Sequence, residues 1–227
     1  FYLRRQRQMC IRDRSGRILH YEPFFHRMRI YFEGKRLMKV LIIGPLGAGK
    51  SSLAYAINRK FNLPRLNLDE ICRNTADGGS YYPREEQFAK LDDFLKKHKD
   101  SWVSEGCQRY LYEKMQPDLI VDMRINRLVA IWRFTCRFWK AKKLIGKEID
   151  KDLPVQAYHY RRITLEKIRD YDFIGREINA EIAEFLAQSR VPVVKCRSFS
   201  DYDAVFARIE EEGDSIRIAE TGKSAGF

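Results

Sequence analysis

From Lys39 onward, short apolar runs alternate with longer amphipathic stretches. Lys39 to Ile43 (KVLII), Arg65 to Leu68, Trp102 to Ser104, Leu119 to Met123 and Val191 to Cys196 have the length and apolar character of strands. Between them the spacing predicts helices over Ser51 to Phe61, over Glu85 to His98 with Phe88, Leu91 and Leu95 on one face, and over about Asn126 to Lys143. A further helix is expected over about Gln156 to Gln188, breaking near Tyr171 to Gly175, and a closing one over Ser200 to Glu211, where Ser200 and Asp203 have capping-box spacing. Five strands, each reached after a helix-length segment, predict parallel pairing through right-handed crossovers. The expected fold is therefore α/β, a three-layer sandwich around a five-stranded parallel sheet.

At 227 residues the chain has room for one good-sized core. Hydrophobic residues make up 44% and charged ones 33%, an ordinary balance for a globular protein, and no apolar run reaches the ~18 residues of a membrane span. The net charge of +12 changes its meaning once it is divided along the chain. Residues 1 to 37 hold ten Lys or Arg against three Asp or Glu, whereas the remaining 190 carry 33 against 28, so the basicity is mostly N-terminal.

That N-terminal stretch, FYLRRQRQMCIRDRSGR, has neither the apolar centre nor the small-residue cleavage site of a secretory signal. Its string QRQMCIRDRS is similar to translated sequencing-adapter readthrough, and Met38 stands directly before the first strand as a natural start. Residues 1–37 are accordingly expected to be a non-native or disordered extension, 38–212 the folded domain, and 213–227, small and polar, a flexible tail. The five cysteines are scattered and lack the paired spacing of a zinc site, which fits a reducing cytoplasm.

Gly44, Pro45, Leu46, Gly47, Ala48, Gly49, Lys50 and Ser51 satisfy GxxxxGK[ST], with a strand before and a helix after. Glycines let the backbone wrap with its N–H groups inward, and the positive end of the following helix completes a nest suited to a polyphosphate. Lys50 is expected to reach the β- and γ-phosphates of ATP, Ser51 to bind Mg²⁺ through its hydroxyl, and Ser52 to add a bond to the α-phosphate. The pattern arises by chance roughly once in a hundred chains of this length, and the strand and helix on either side make accident rarer still. A second GKS, at Gly222 to Ser224, lacks the earlier glycine and the strand.

The runs GPLGAGKSSLAYAINRKFNLPRLNLDEI, SWVSEGCQR and PDLIVDMRINRLVAIWRFTCR resemble, in order and spacing, the adenylate-kinase-like small P-loop kinases, and most closely the group labelled DNA topology modulation proteins. The likeness spans about residues 38 to 210. It implies a P-loop NTPase with a short helical lid, transferring a phosphoryl group from ATP to a small-molecule acceptor. Asp69, at the carboxyl end of the second strand, becomes an acceptor-side residue that orients a hydroxyl, the alternative being a helix N-cap role assisted by Glu70. Glu105 takes the place where relatives carry Asp, holding the Mg²⁺ hydration shell, with Asp122 as its rival and Arg109 available to clamp an acceptor anion.

Between Arg124 and Lys147 there are eight Lys or Arg and no acid, with Arg133, Arg137 and Lys140 at i, i+4 and i+7 opposite a stripe of Leu128, Ile131, Thr135 and Phe138. The resemblance makes this helix the lid, with Arg133 and Arg137 stabilising charge in transfer. The same stretch, with Trp132, Phe134, Phe138 and Trp139 interleaved, supports the alternative of a nucleotide-gated nucleic-acid-binding protein, although these aromatics are expected to pack as core. Residues 72 to 90 fall where such an architecture binds its acceptor, with Arg73, Arg84, Tyr81 and Tyr82 as contacts. A simple ATPase is the remaining reading. No membrane role is indicated.

Overall fold

The computed structural model describes residues 11–12, 18–19, 38–74, 80–144 and 171–224. The chain divides into two compact units, Phe1–Lys35 and Arg36–Phe227. In the first, Ile11–Arg12 pairs antiparallel with Ile18–Leu19. The second contains β1 (Lys39–Ile43), α1 (Lys50–Phe61), β2 (Arg65–Asn67), α2 (Leu68–Cys72), α3 (Arg84–Lys97), β3 (Trp102–Glu105), α4 (Arg109–Met115), β4 (Leu119–Met123), α5 (Arg127–Leu144), α6 (Tyr171–Gln188), β5 (Val193–Cys196) and α7 (Tyr202–Ser224), the last entered through a 3₁₀ turn at Phe199–Asp201.

The five strands form one all-parallel sheet in the order β2-β3-β1-β4-β5. β1 and β4 are mostly apolar, Val40 to Ile43 and Leu119 to Val121 without a break, because a parallel sheet sandwiched by helices buries both faces of its strands. Val40 and Ile42 of β1 join Val103, Leu119, Val121 and Met123 in a core closed by Leu53, Ile57 and Phe61 of α1 and Val205, Phe206 and Ile209 of α7. Leu41 and Ile43 point the other way, into a core with Leu66, Trp102 and Ile120 that Leu91 of α3, Leu111 and Met115 of α4 and Ile182 of α6 cover. The alternation of strand side chains thus creates the two outer layers.

The chain leaves β1 for the edge strand β2, comes back to β3, passes β1 to reach β4, and continues outward to β5. Connections from the adjacent strands β1 and β4 therefore run to opposite sides. In open parallel sheets this opens a crevice at the carboxyl ends of the strands.

Several boundaries differ from expectation for identifiable reasons. α2 and α4, of five and seven residues, are too short for periodicity to reveal. α6 runs without interruption from Tyr171 through Gly175 to Gln188, and the expected helix over 156–170 lies outside the described residues. The reciprocal cap before α7 uses Ser198 and Asp201, not Ser200 and Asp203: the Asp201 carboxylate accepts from the backbone N–H groups of Arg197 at 2.6 Å and Ser198 at 3.0 Å. α7 continues past Gly213 to Ser224, since one glycine costs a helix only about 1 kcal/mol and no proline follows it.

Candidate functional site

The loop between β1 and α1 carries Gly44, Pro45, Leu46, Gly47, Ala48 and Gly49. Two of its glycines are required by geometry. At Gly44 an added Cβ would stand 2.5 Å from the Met123 carbonyl oxygen on β4, so the loop and β4 approach too closely for any side chain. Gly49, at φ +99°, is the N-cap of α1 in a left-handed conformation that disfavours other residues. It provides no side-chain cap, and the first turn of α1 contains no acid. The helix therefore presents its first amides and its positive end to the loop uncompensated.

Lys50 opens α1 and is buried, with its ammonium turned back under the loop. It donates to the carbonyl oxygens of Gly44 at 2.9 Å and Pro45 at 3.0 Å. Two of its three donors are thereby engaged, with the charge held inside the concavity. Ser51 and Ser52 are exposed on the same turn.

Two buried carboxylates flank the end of β1, because Ile42 is abreast of Glu105 on β3 and Ile43 abreast of Asp122 on β4. Asp122 is committed: Arg124 Nε donates to both of its oxygens at 2.9 Å, and Arg124 also donates to Asn179 Oδ1 of α6 at 3.0 Å. Glu105 is not. Its Oε1 is buried without a hydrogen-bond partner, the nearest cation being Arg65 at 3.9 Å. Burial pushes the Glu105 carboxyl above its usual range and Asp69 adds to that, while the Lys50 ammonium, a hydrogen bond from Ser51 and the Arg65 charge oppose it. A buried carboxylate oxygen with open acceptor capacity beside a serine hydroxyl suits the hydrated shell of a magnesium ion. Among the described residues no group of three or more His, Cys, Asp or Glu that could hold a metal ion converges.

Asp69 lies at the edge of the same region. The N-cap of α2 is Asn67, whose Oδ1 accepts from the Asp69 backbone N–H at 2.9 Å, so the capping alternative for the Asp69 side chain falls away. The carboxylate instead accepts from the Gln108 side-chain amide through Oδ1. Gln108 was not among the residues the sequence suggested; no motif marks it.

Beyond Asp69, the segment after α2 doubles back so that Arg73 bridges Tyr81, with 75–79 outside the described residues. The Arg73 guanidinium packs over the Tyr81 ring at 4.0 Å, and that of Arg84 over Tyr110 at 3.6 Å. Arg109, expected near an acceptor anion, is ion-paired with Glu184 of α6 instead. Cys107 has its sulfur 3.6 Å from the Gly44 carbonyl oxygen, and burial raises its pKa, which makes the thiol a poor nucleophile.

On α5, Arg133 reaches the loop: its Nη1 donates to the carbonyl oxygens of Gly47 and Ala48, both at 3.4 Å, and its guanidinium lies 5.4 Å from the Phe199 ring centre. The side chain of Arg137 lies outside the described residues. The expectation that the α5 aromatics pack as core fails at Trp132 and Trp139, while the side chains of Phe134 and Phe138 lie outside the described residues. Trp132 is 66% and Trp139 56% exposed, and Leu128, assigned to an apolar stripe, is 74% exposed. Among the described side chains of α5 the buried one is Ala130, which packs against Leu46, Ile125 and Ile131. The loop approaches the helix too closely for more, since a Cβ on Gly47 would stand 3.1 Å from the Ala130 carbonyl oxygen.

A scan against protein-family models finds none that matches this chain, and a search of the curated proteins finds no significant match. Among the described residues, no helix is long and apolar enough to cross a membrane.

Proposed function

We propose that this chain is a P-loop NTPase of the adenylate-kinase-like kind, transferring the γ-phosphoryl group of ATP to a hydroxyl of a small-molecule acceptor. One observation carries the reading. At the carboxyl end of β1, a loop that excludes side chains at its turning points, a buried ammonium and a buried carboxylate with an uncommitted oxygen converge. This is the equipment that holding and neutralising a polyphosphate demands, and phosphoryl transfer needs little else from a protein beyond positioning.

Each residue then has a task. The backbone N–H groups of the loop, from Leu46 to Ser52, cradle the phosphates, Pro45 having none to give. Lys50 exchanges its carbonyl partners for phosphate oxygens, and Ser51 and Glu105 would be the residues that hold a magnesium ion. The ion, when bound, supplies positive charge that offsets the phosphates. Asp69 accepts the acceptor's hydroxyl proton as the new P–O bond forms and the bond to the ADP oxygen breaks. Arg133, already against the loop, stabilises negative charge from above, with Arg137 one turn along as its partner in a short helical lid. A reducing cytoplasm belongs to the same reading, supported by the free thiols of Cys72, Cys107, Cys136 and Cys196.

Calorimetry tests the proposal. Mg-ATP is expected to bind the protein, and Lys50→Ala is expected to abolish the heat while circular dichroism is unchanged. A wild-type protein that takes up no Mg-ATP at millimolar concentration overturns it.

The exposure of Trp132 and Trp139 on a helix whose surrounding stretch has eight cations and no acid favours a second reading, a nucleic-acid-binding protein gated by nucleotide. Gel-shift assays with single-stranded DNA at two salt concentrations separate the two. Binding that falls steeply with salt supports the second.

A further inference from the structure

The geometry points to Gln108 as the positioning residue for Asp69, holding one oxygen of that carboxylate so that the other faces the acceptor. This rests on the phosphotransferase reading above. It adds a residue to which no motif drew attention.

The arrangement follows from the sheet. β2 and β3 pair in parallel with Asn67 abreast of Glu105, so the residues just past each strand, Leu68–Asp69 and Gly106–Gln108, lie side by side at the carboxyl edge. Gly106 permits the contact: a Cβ there would stand 2.6 Å from Leu68 Cβ and 2.7 Å from Gln108 Oε1. The Gly106 carbonyl oxygen accepts from the Tyr112 hydroxyl at 2.8 Å, which ties the turn to α4. Gln108 itself is 9% exposed, so its amide must find protein partners or lose its hydration without return.

Both ends of the amide are assigned by chemistry. Gln108 Oε1 accepts from the Cys107 backbone N–H at 3.0 Å, and only the oxygen end can do so. The nitrogen end is thereby turned toward Asp69 Oδ1, to which it donates. A side-chain amide nitrogen donates and cannot accept, so it complements the ionised carboxylate, the form that accepts a hydroxyl proton. The Asp69 backbone is anchored independently through its N–H on Asn67 Oδ1. With the main chain fixed and Oδ1 occupied, Oδ2 is the oxygen left for an incoming hydroxyl. A carboxylate free to rotate about its χ angles would instead spend part of its time misdirected, and small misplacements of a catalytic group are costly in rate.

The experiment uses the whole chain, with Mg-ATP as the probe and water as the acceptor, phosphate release being the rate. Gln108→Met, close in size, removes the donor. Gln108→Glu keeps an acceptor for the Cys107 N–H but sets a second carboxylate against Asp69. Both are expected to lower kcat about 10- to 100-fold while the Kd for Mg-ATP stays within about twofold. In an Asp69→Asn background, Gln108→Met is expected to change kcat less than about twofold, because the residue acts through Asp69. A second readout does not need turnover: the side-chain amide resonances of Gln108 in the ¹⁵N spectrum are expected to move on Asp69→Asn. Unchanged kcat in both Gln108 variants, additive losses in the double variant, or amide resonances indifferent to Asp69 overturn the inference while Mg-ATP binding leaves the phosphotransferase reading standing. Absence of Mg-ATP binding by the wild type overturns both.

Discussion

The two sides of β1 hold the same chemical group in opposite circumstances. On the β4 side, Asp122 is buried and satisfied, both oxygens taken by Arg124, which in turn fastens α6 through Asn179. On the β3 side, Glu105 is equally buried, yet one oxygen has no hydrogen bond and its neighbours are Lys50, Ser51 and a distant Arg65. A carboxylate that has completed its hydrogen bonding belongs to the architecture. One left short at a burial cost must draw a compensating partner from elsewhere, and this marks the β3 side as the side where chemistry is to be sought.

The largest expected effect sharpens that contrast. Lys50→Ala removes the cation on the Glu105 side and is expected to lower phosphoryl transfer about a thousandfold, equivalent to about 4 kcal/mol, with unfolding midpoints little changed. Turnover measured against wild type checks it. Asp122→Ala is expected to do the reverse. It leaves the Arg124 guanidinium unpaired beside the core, at about 2 kcal/mol of stability, a figure kept below that of a fully buried pair because Arg124 is 34% exposed. Urea unfolding reads the loss. If Asp122→Ala instead abolished Mg-ATP binding in a folded protein, the comparison would collapse.

A third effect is smaller and depends on pH. The folded state binds the Glu105 proton more tightly than the unfolded chain does, so the unfolded state carries fewer protons and stability declines as pH rises above the ordinary value of 4.5 through the raised one. Glu105→Gln is expected to remove that decline, leaving the variant more stable than wild type near neutrality in the absence of Mg²⁺. Denaturant titrations at pH 5 and pH 8 measure it. Least of all, Arg109→Ala breaks an exposed pair with Glu184 and is expected to move Tm by no more than about a degree and Mg-ATP affinity not at all.

Much of this was legible in the sequence because it depends on local pattern. The central strands of a doubly covered parallel sheet are mostly apolar, and the glycine loop between β1 and α1 has a spacing that few other structures need. What stayed hidden depends on partners distant in the chain. Asp122 and Glu105 look alike as letters; Arg124, two residues after Asp122, takes both of its oxygens and is itself held by Asn179, 55 residues further on. Gln108 meets Asp69 across 39 residues, Arg109 meets Glu184 across 75, and neither pairing leaves a local trace. Trp132 and Trp139 misled for a related reason. A helix rich in aromatics suggests burial, but α5 meets the loop through Ala130 and turns these rings outward.

The order of strands also distributes rigidity unequally. β1, which leads into the glycine loop, is hydrogen-bonded on both sides, whereas β2, which leads into Asp69, is three residues long and clasped by β3 alone. Amide protons of β1 should then exchange with deuterium only on near-global opening, and those around Arg65–Asn67 through cheaper local excursions. On the proposed function, the side of the crevice meant for phosphate would rest on the most firmly held strand, and the side meant for the acceptor on the least.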